Sequence, residues 1–163
     1  MRSSIIAVGL LALLATPIAA QQAALTPAED ALFEAAALGR LDDAKRLVAE
    51  GVPVDTVEPE GRTPLMVAAF DGHRHVVGFF LVEGAAVDHR DANGRTALMY
   101  ASSGPFVETV EVLLDAGAEV NTQGMLEGFT ALMTAAAEGQ IEVVRLLLDL
   151  SLIHISEPTR LWS

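Results

Sequence analysis

Apolar residues recur along this chain at helical spacing, in short blocks that end in glycine. In one block, Leu65, Ala68 and Ala69 lie at positions i, i+3 and i+4, which places them on one face of a helix. Gly72 follows this block, and a residue that is free to adopt positive φ is a good helix terminator. A second apolar block then runs to Gly84. The pattern predicts pairs of short helices, each of which ends at a glycine.

The same pair of blocks is repeated along the chain at steps of 33 and 34 residues. The first block reads GRTPLMVA over 61–68, GRTALMYA over 94–101 and GFTALMTA over 128–135. The second block predicts helices over about 74–82, 107–115 and 141–149. A weaker copy upstream aligns Leu32 with Leu65 and Ala35 with Ala68. Four units therefore fill residues 25–150.

Specific residues mark where the helices begin and where the chain turns. Thr63, Thr96 and Thr130 can each accept a hydrogen bond from a free backbone N–H at a helix start. The first copy lacks a Thr-Pro start and is rich in charged residues, which predicts a terminal unit with a polar outer face. The Asn-Gly pair within residues 91–94 predicts a hairpin turn. In the third unit, Pro105 departs from the repeat and is predicted to begin a helix.

These repeated blocks resemble the ankyrin repeat family, as do the segments GAAVD at 84–88 and GAEVN at 117–121. The resemblance implies an all-α solenoid of about four helix-turn-helix units joined by β-hairpin loops. One unit cannot bury both faces of its helix pair, so successive units must stack. We expect an ankyrin-repeat domain over residues 28–150, with units at about 28–60, 61–93, 94–127 and 128–150.

The two ends of the chain differ from the repeats. Residues 5–20 are uncharged and follow Arg2, which predicts a signal peptide over 1–20 and a linker over 21–27. An uncleaved membrane anchor is the alternative, although a span needs ~20 apolar residues. At the other end, the string LSLIHISEPTR resembles translated sequencing-adapter read-through. Residues 151–163 are therefore interpreted as a non-native tail, and a divergent cap that packs on the last helix is the alternative.

Composition and motifs exclude several classes of function. The chain has 22 acidic and 10 basic residues and a net charge of -12, which makes nucleic acid an unlikely partner. It has no cysteine, which excludes disulfides and thiolate metal sites. His73 and His75 lack a third ligand at a suitable spacing, so His73 is expected to be structural. Met66, Met99 and Met133 are expected in the core. We expect no metal, no cofactor, no small-molecule substrate and no catalytic residues.

The resemblance implies protein binding through the hairpin tips and the exposed positions of each first helix. Phe70 and Tyr100 are the expected aromatic anchors, placed outside the packing positions. The expected partner-binding residues are Phe70, Asp71, Tyr100, Ser102, Ser103, Glu138, Glu58, Glu60, His89, Arg90, Met125 and Leu126. We expect a non-catalytic module that binds an unidentified protein in the periplasm, with secretion as the second choice. The alternative is an immunity or inhibitor-type protein that occludes a basic toxin or hydrolase.

Overall fold

Four consecutive pairs of helices make up the fold. A computed structural model describes residues 24–125 and 128–156, with side chains as far as Leu150. Within these residues there are eight helices and no strand: α1 (Pro27–Ala37), α2 (Leu41–Ala49), α3 (Pro64–Phe70), α4 (Arg74–Val82), α5 (Ala97–Ser102), α6 (Val107–Asp115), α7 (Ala131–Ala137) and α8 (Ile141–Ser156). None of the helices in this part of the chain is long and apolar enough to span a bilayer. The predicted signal peptide lies outside the described residues.

The first helix of each of the last three units begins at the predicted threonine. Thr63, Thr96 and Thr130 each accept the backbone N–H of the residue three positions further on, at 3.4, 3.4 and 3.3 Å respectively. A side-chain acceptor satisfies one of the N–H groups that a helix leaves free at its start. These three helix starts are therefore confirmed.

The first unit also has a Thr-Pro start, so the prediction that it lacks one is wrong. Thr26 caps α1 and Pro27 is its first residue, with Glu29 completing a reciprocal capping box. The repeat register does not align Thr26 with Thr63, because α1 has 11 residues, whereas α3 has 7. The extra turn moves the threonine upstream of the position that the later units indicate.

The helix pairs stack along one axis. Each first helix contacts the first helix of the next unit, from α1 through α3 and α5 to α7. Leu32, Leu65 and Leu98 are almost fully buried along this row, and alanines beside them allow the helices to approach closely. The second helices α2, α4, α6 and α8 form a parallel row. The predicted all-α ankyrin solenoid is confirmed.

Hairpin-shaped turns join the units, but they form no β-strands within the described residues. Glu58 donates its backbone N–H to the carbonyl of Arg62 at 3.1 Å, and Asp91 donates to Arg95 at 3.0 Å. One such bond per turn is too few for a strand ladder. The turns are bonded to each other instead, because Ala92 donates its backbone N–H to the carbonyl of Glu60 at 3.0 Å.

The helix-to-helix turn of the third unit differs from the others. Pro105 was expected to begin a helix, but α6 begins at Val107, after its cap residue Phe106. Pro105 occupies the repeat position of Gly72, whose φ is +72°. The proline ring holds φ near -65°, so the third unit cannot form the same turn. The next residue is Phe106, and its ring packs directly against Gly72 in the turn of the preceding unit.

The fourth unit is open on its outer side within the described residues. Met66 and Met99 are buried as predicted, but Met133 is 52% exposed, so the prediction of a core position for it is wrong. Among the residues that the structure describes, no further unit packs against α7 to cover this side chain. The last helix also extends to Ser156, beyond the predicted range 141–149. Ser151 stands where the earlier units have a terminating glycine with positive φ.

Candidate protein-binding groove

A groove of about 390 Å³ lies between the first helices of units three and four. Helices α5 and α7 supply its walls, and the hairpin turns that precede them close one end. The lining residues are Phe70, Asn93, Arg95, Met99, Tyr100, Ser103, Gly124, Phe129, Thr134, Ala137 and Glu138. This volume is within the usual range for ligand pockets. The structure therefore brings together four of the predicted site residues, namely Phe70, Tyr100, Ser103 and Glu138.

Three aromatic side chains from successive units line the groove. Phe70 at the end of α3 contacts Tyr100 of α5 edge to face, with ring centroids 6.1 Å apart and ring planes at 89°. Phe129, one residue before the cap of α7, contributes the third ring. Phe70 is 52% exposed and Phe129 is 39% exposed. Aromatic area left open to solvent in this way is typical of binding surfaces.

Tyr100 is fixed in place by a buried carboxylate. Its hydroxyl donates to Oδ2 of Asp91 at 2.6 Å, while Oδ1 of Asp91 accepts the backbone N–H groups of Asn93 at 2.9 Å and Arg95 at 2.8 Å. Burial, together with the hydrogen bond and the charge of Asp91, raises the pKa of Tyr100 to about 12, although Arg62 and Arg95 act in the opposite direction.

The prediction that Tyr100 lies outside the packing positions is therefore wrong. The ring is half-buried and packs against the core, and its hydroxyl carries the bond to Asp91. Its mutation to alanine would leave the Asp91 carboxylate without one of its donors. Of the two predicted anchors, Phe70 alone is an exposed side chain.

The two arginines that follow turn glycines differ in their partners. Arg62 forms an ion pair with Glu58 across the first turn. Burial acts to lower the pKa of Arg62, but the hydrogen bond and charge of Glu58, with smaller contributions from Tyr100 and Glu60, raise it overall. Glu58, a predicted partner-binding residue, is therefore already neutralised within the chain. Arg95 is exposed and forms no ion pair with any described residue.

The expected exposed, partner-binding position of Ser102 is wrong. Its side chain is fully buried, and its hydroxyl donates to the carbonyl of Leu98 at 2.7 Å. In repeat register it aligns with Ala69, which is a buried packing position on α3. A residue on this face points into the stack and cannot contact a partner.

The predicted residues of the hairpin turns divide between structural and free positions. His89 is half-buried, and its ring Nε2 lies 3.0 Å from the carbonyl oxygen of Gly61 in the preceding turn. Arg90 is exposed and donates to the carbonyl of Gln123. Glu60 and Met125 are exposed, and Met125 lies beside Gly94 near the groove. Leu126 lies outside the described residues.

The remaining predictions concern exposed acids and the histidine pair. Asp71 caps the end of α3 and is exposed, as is Glu138 at the end of α7. His73 binds the carbonyl oxygen of Ala37 through Nε2 at 2.9 Å, which is the structural role expected for it. In the part of the chain that the structure describes, no group of three or more potential ligands is placed to hold a metal ion.

Sequence reasoning did not place Arg95, Phe129, Met99 or Asn93 in the site. Phe129 carried a usable signal, because it replaces the arginine that follows the turn glycine in the two preceding units. An aromatic residue at a surface position of a repeat indicates a contact surface. Arg95 carried no such signal, since its lack of an ion pair depends on the orientation of Asp91.

The stacked helix pairs and the open groove define a helical repeat protein with a solvent-accessible groove along its row of first helices. The family model for ankyrin repeats in three copies matches residues 32–124, and that for ankyrin repeats in many copies matches residues 107–148. The chain belongs to the ankyrin repeat family. No curated protein gives a significant match. Ankyrin repeats are generally protein-protein interaction modules and are typically non-catalytic.

Proposed function

We propose that this protein is an exported, non-catalytic binding module that holds a partner protein on its concave face in the periplasm. The groove between α5 and α7 carries this proposal, because three aromatic rings from successive units line one continuous surface. Aromatic side chains dominate the binding energy of protein interfaces when a partner excludes water from them. Protein binding is also the general role of the family.

Capture of the partner tests the role of the groove. The tagged protein is incubated with periplasmic extract of the bacterium that encodes it, and bound proteins are identified by mass spectrometry. Phe70→Ala and Phe129→Ala should each reduce capture of the same partner by about tenfold, since each removes an interface aromatic. Val82→Ala is the matched control, because Val82 is 84% exposed and does not line the groove. Equal loss in the control would refute the groove as the binding surface.

Export is supported by the uncharged segment 5–20 that follows Arg2. Expression with the native N-terminus, followed by fractionation and intact mass measurement, tests it. We expect a periplasmic protein that begins at Gln21. A chain that retains residues 1–20 in the membrane fraction would support an anchor instead.

An immunity or inhibitor-type function is the second candidate, and the charge of the molecule favours it. The net charge is -12, and Glu60, Asp71 and Glu138 are exposed acids without an ion pair among the described residues. Such a surface attracts a basic target and accelerates association at low ionic strength. Capture that weakens steeply with added salt, together with inhibition of the captured enzyme, would select this candidate. Salt-independent capture would argue against it.

A further inference from the structure

Arg95 differs from its counterpart in the preceding unit, and the repeat itself shows why. Arg62 and Arg95 occupy equivalent positions 33 residues apart, as do Glu58 and Asp91. In unit two, Glu58 neutralises Arg62. In unit three, Asp91 is only 5% exposed and uses its oxygens for two backbone N–H groups and the hydroxyl of Tyr100. Its carboxylate therefore forms no ion pair with Arg95.

Two exchanges accompany this difference: the shorter Asp91 replaces Glu58 and binds the backbone of its own turn, and Tyr100 binds the remaining carboxylate oxygen. The equivalent of Tyr100 in unit two is Val67, which has no hydroxyl to bind a carboxylate. The exchange of valine for tyrosine at one repeat position adds a ring to the groove and a hydroxyl that occupies Oδ2 of Asp91. An exposed guanidinium is left at the edge of an aromatic groove.

A guanidinium in this setting is suited to bind a carboxylate. Its planar fork of N–H donors matches the two oxygens of a carboxylate, and such charge-assisted pairs are stronger than neutral hydrogen bonds. The rings of Phe70, Tyr100 and Phe129 beside it accept an apolar side chain. One ligand residue that carries both a carboxylate and an apolar side chain would satisfy both parts of the groove.

We propose that this groove binds the C-terminus of a partner polypeptide whose last residue is large and apolar. Arg95 binds the terminal carboxylate, and the aromatic rings enclose the last side chain. A terminal carboxylate is favoured over an acidic sequence because the chain carries a net charge of -12, which opposes a partner segment with several negative charges. Exposed Glu138 on the same groove suits a basic residue upstream in that segment. The proposal rests on the protein-binding function proposed above.

Three fluorescent synthetic peptides test the proposal by anisotropy against the full protein. All contain glycine, serine and lysine before a final phenylalanine. The first has a free C-terminal carboxylate, the second a C-terminal amide, and the third the amide together with an aspartate before the phenylalanine. We expect the free acid to bind at least about tenfold more tightly than either amide, which is the usual size of a lost charge-assisted bond.

Matched variants assign this preference to Arg95. Arg95→Gln should remove the difference between free acid and amide, whereas Arg62→Gln, in which the altered arginine is already paired, should retain it. Tyr100→Phe should reduce the difference, because Asp91 then loses a donor and becomes free to pair with Arg95. Thermal unfolding checks that each variant is folded, and Arg95→Lys, which keeps the charge but not the fork, should retain part of the preference.

Several results would overturn the proposal. These are no saturable binding of the free acid, equal affinity for acid and amide, equal affinity for the internal aspartate peptide, or an equal effect of Arg62→Gln. The broader function is tested separately by the capture experiment. If the peptides show no preference while Phe129→Ala still abolishes capture, the C-terminus proposal fails and the proposed concave-face function stands.

Discussion

At the residue scale, Tyr100 links the groove to the turn beneath it. Its ring meets Phe70 on the groove side, and its hydroxyl reaches the buried carboxylate of Asp91 on the other. The same carboxylate organises the turn through the backbone of Asn93 and Arg95. The shape of the groove and the shape of the turn are therefore held by one hydrogen-bonded cluster.

This cluster predicts a pH dependence of stability. The pKa of Tyr100 is raised from its ordinary value of 10 to about 12 in the folded state, so folding favours the neutral phenol. Its stabilising contribution is complete below pH 10 and is lost as the pH rises through 12. The chain has a single tyrosine, so phenolate absorbance reports this group alone. We expect a titration midpoint near 12 in the native protein and near 10 in denaturant. A native midpoint near 10 would contradict the burial of the Tyr100 hydroxyl and its bond to Asp91.

Glycines at the helix-to-helix turns give a second prediction. Gly72 and Gly139 have nearly the same φ, +72° and +71°, but only Gly72 faces another side chain. A Cβ there would lie 2.2 Å from a Phe106 ring atom, whereas no described neighbour lies within 4 Å of one at Gly139. Gly139→Ala should lower the unfolding free energy by about 1–2 kcal/mol from backbone strain. Gly72→Ala should lower it by a further 1–3 kcal/mol or so through overpacking.

Urea unfolding of both variants measures this difference. Gly72→Ala in a Phe106→Ala background serves as the control: measured against Phe106→Ala alone, it should cost only the backbone strain, because the smaller side chain removes the clash. Equal destabilisation by Gly72→Ala and Gly139→Ala would show that the Phe106 ring does not rest on the turn.

The identity of single residues predicted the helix caps, but it did not predict that Arg95 lacks an ion pair. A threonine at a helix start acts through a local hydrogen bond, so Thr63 and Thr96 could be assigned from spacing alone. The predicted exposed position of Ser102 is wrong, because its repeat equivalent, Ala69, is a packing position. The state of Arg95 depends on a three-residue arrangement that only coordinates reveal.

At the scale of elements, the second, third and fourth helix pairs each contact the helix-to-helix turn of the preceding unit. His73 binds the carbonyl of Ala37 at 2.9 Å, and Gln140 donates to the carbonyl of Ser103 at 3.2 Å. Both residues immediately precede a second helix. Phe106 occupies the same place in unit three and makes an apolar contact instead. The side chain before each second helix therefore sets the spacing between units.

A second set of contacts joins the segments that follow the second helices. Asp55 accepts the backbone N–H of Ala86 at 3.0 Å, and Asp88 accepts that of Glu119 at 2.9 Å. The next residue in this register is Asn121. Because α8 continues as a helix where the earlier units turn, no corresponding bond to Asn121 is formed within the described residues.

This asymmetry predicts different effects of two equivalent substitutions. Asp88→Ala should lower the unfolding free energy by about 1 kcal/mol, since it removes a hydrogen bond between units three and two. Asn121→Ala should change it by less than about 0.5 kcal/mol, as is usual for surface substitutions without such a bond. Chemical denaturation measures both. A similar loss in the two variants would show that the segment after Asp88 is not held by this bond.

Element boundaries could be predicted where the repeat is regular and not where it is broken. The predicted second helices over 74–82 and 107–115 coincide with α4 and α6. Helix α8 exceeds its predicted range because Ser151 replaces a glycine. The extra turn of α1 follows from Thr26, which departs from the repeat, whereas α6 begins at Val107 in the repeat register despite Pro105. The repeat period alone therefore could not predict the start of α1 or the end of α8.

At the scale of the whole molecule, the stack has two unlike ends. The first unit presents charged residues such as Glu34 and Arg40, which form an ion pair at its outer side. The fourth unit exposes Met133 instead, along with Ile141 and Leu148. In a linear repeat protein, stability is a sum of unit and interface terms, and both terminal units have one interface among the described residues. The fourth unit also exposes apolar side chains, so we expect it to be the least stable.

Methionine oxidation should reveal this order. Under mild peroxide, Met125 and Met133 should oxidise well before Met66 and Met99, because only the first two sulfur atoms are accessible to the reagent. Peptide mass spectrometry over time measures the four rates. Comparable rates at Met99 and Met133 would mean that the fourth unit is covered in solution.

Stacking itself could be predicted from the sequence, because the repeat period and the apolar spacing leave no other way to bury both faces of each helix pair. The general position of the proposed binding surface followed from the family resemblance. Its exact location did not, since the groove forms where Tyr100 and Phe129 replace Val67 and Arg95 of the preceding units. The effect of these substitutions depends on side chains of neighbouring units, and their contacts cannot be derived from the repeat pattern.

The central claim is that partners bind in the groove between α5 and α7. Mapping of backbone amide chemical shifts, with the captured partner added to the isotope-labelled protein, tests it most directly. We expect the largest shifts at residues 93–103 and 128–138, which contribute most of the groove lining, and small shifts along α4 and α6. Shifts concentrated on α4 and α6, with residues 93–103 unchanged, would contradict it.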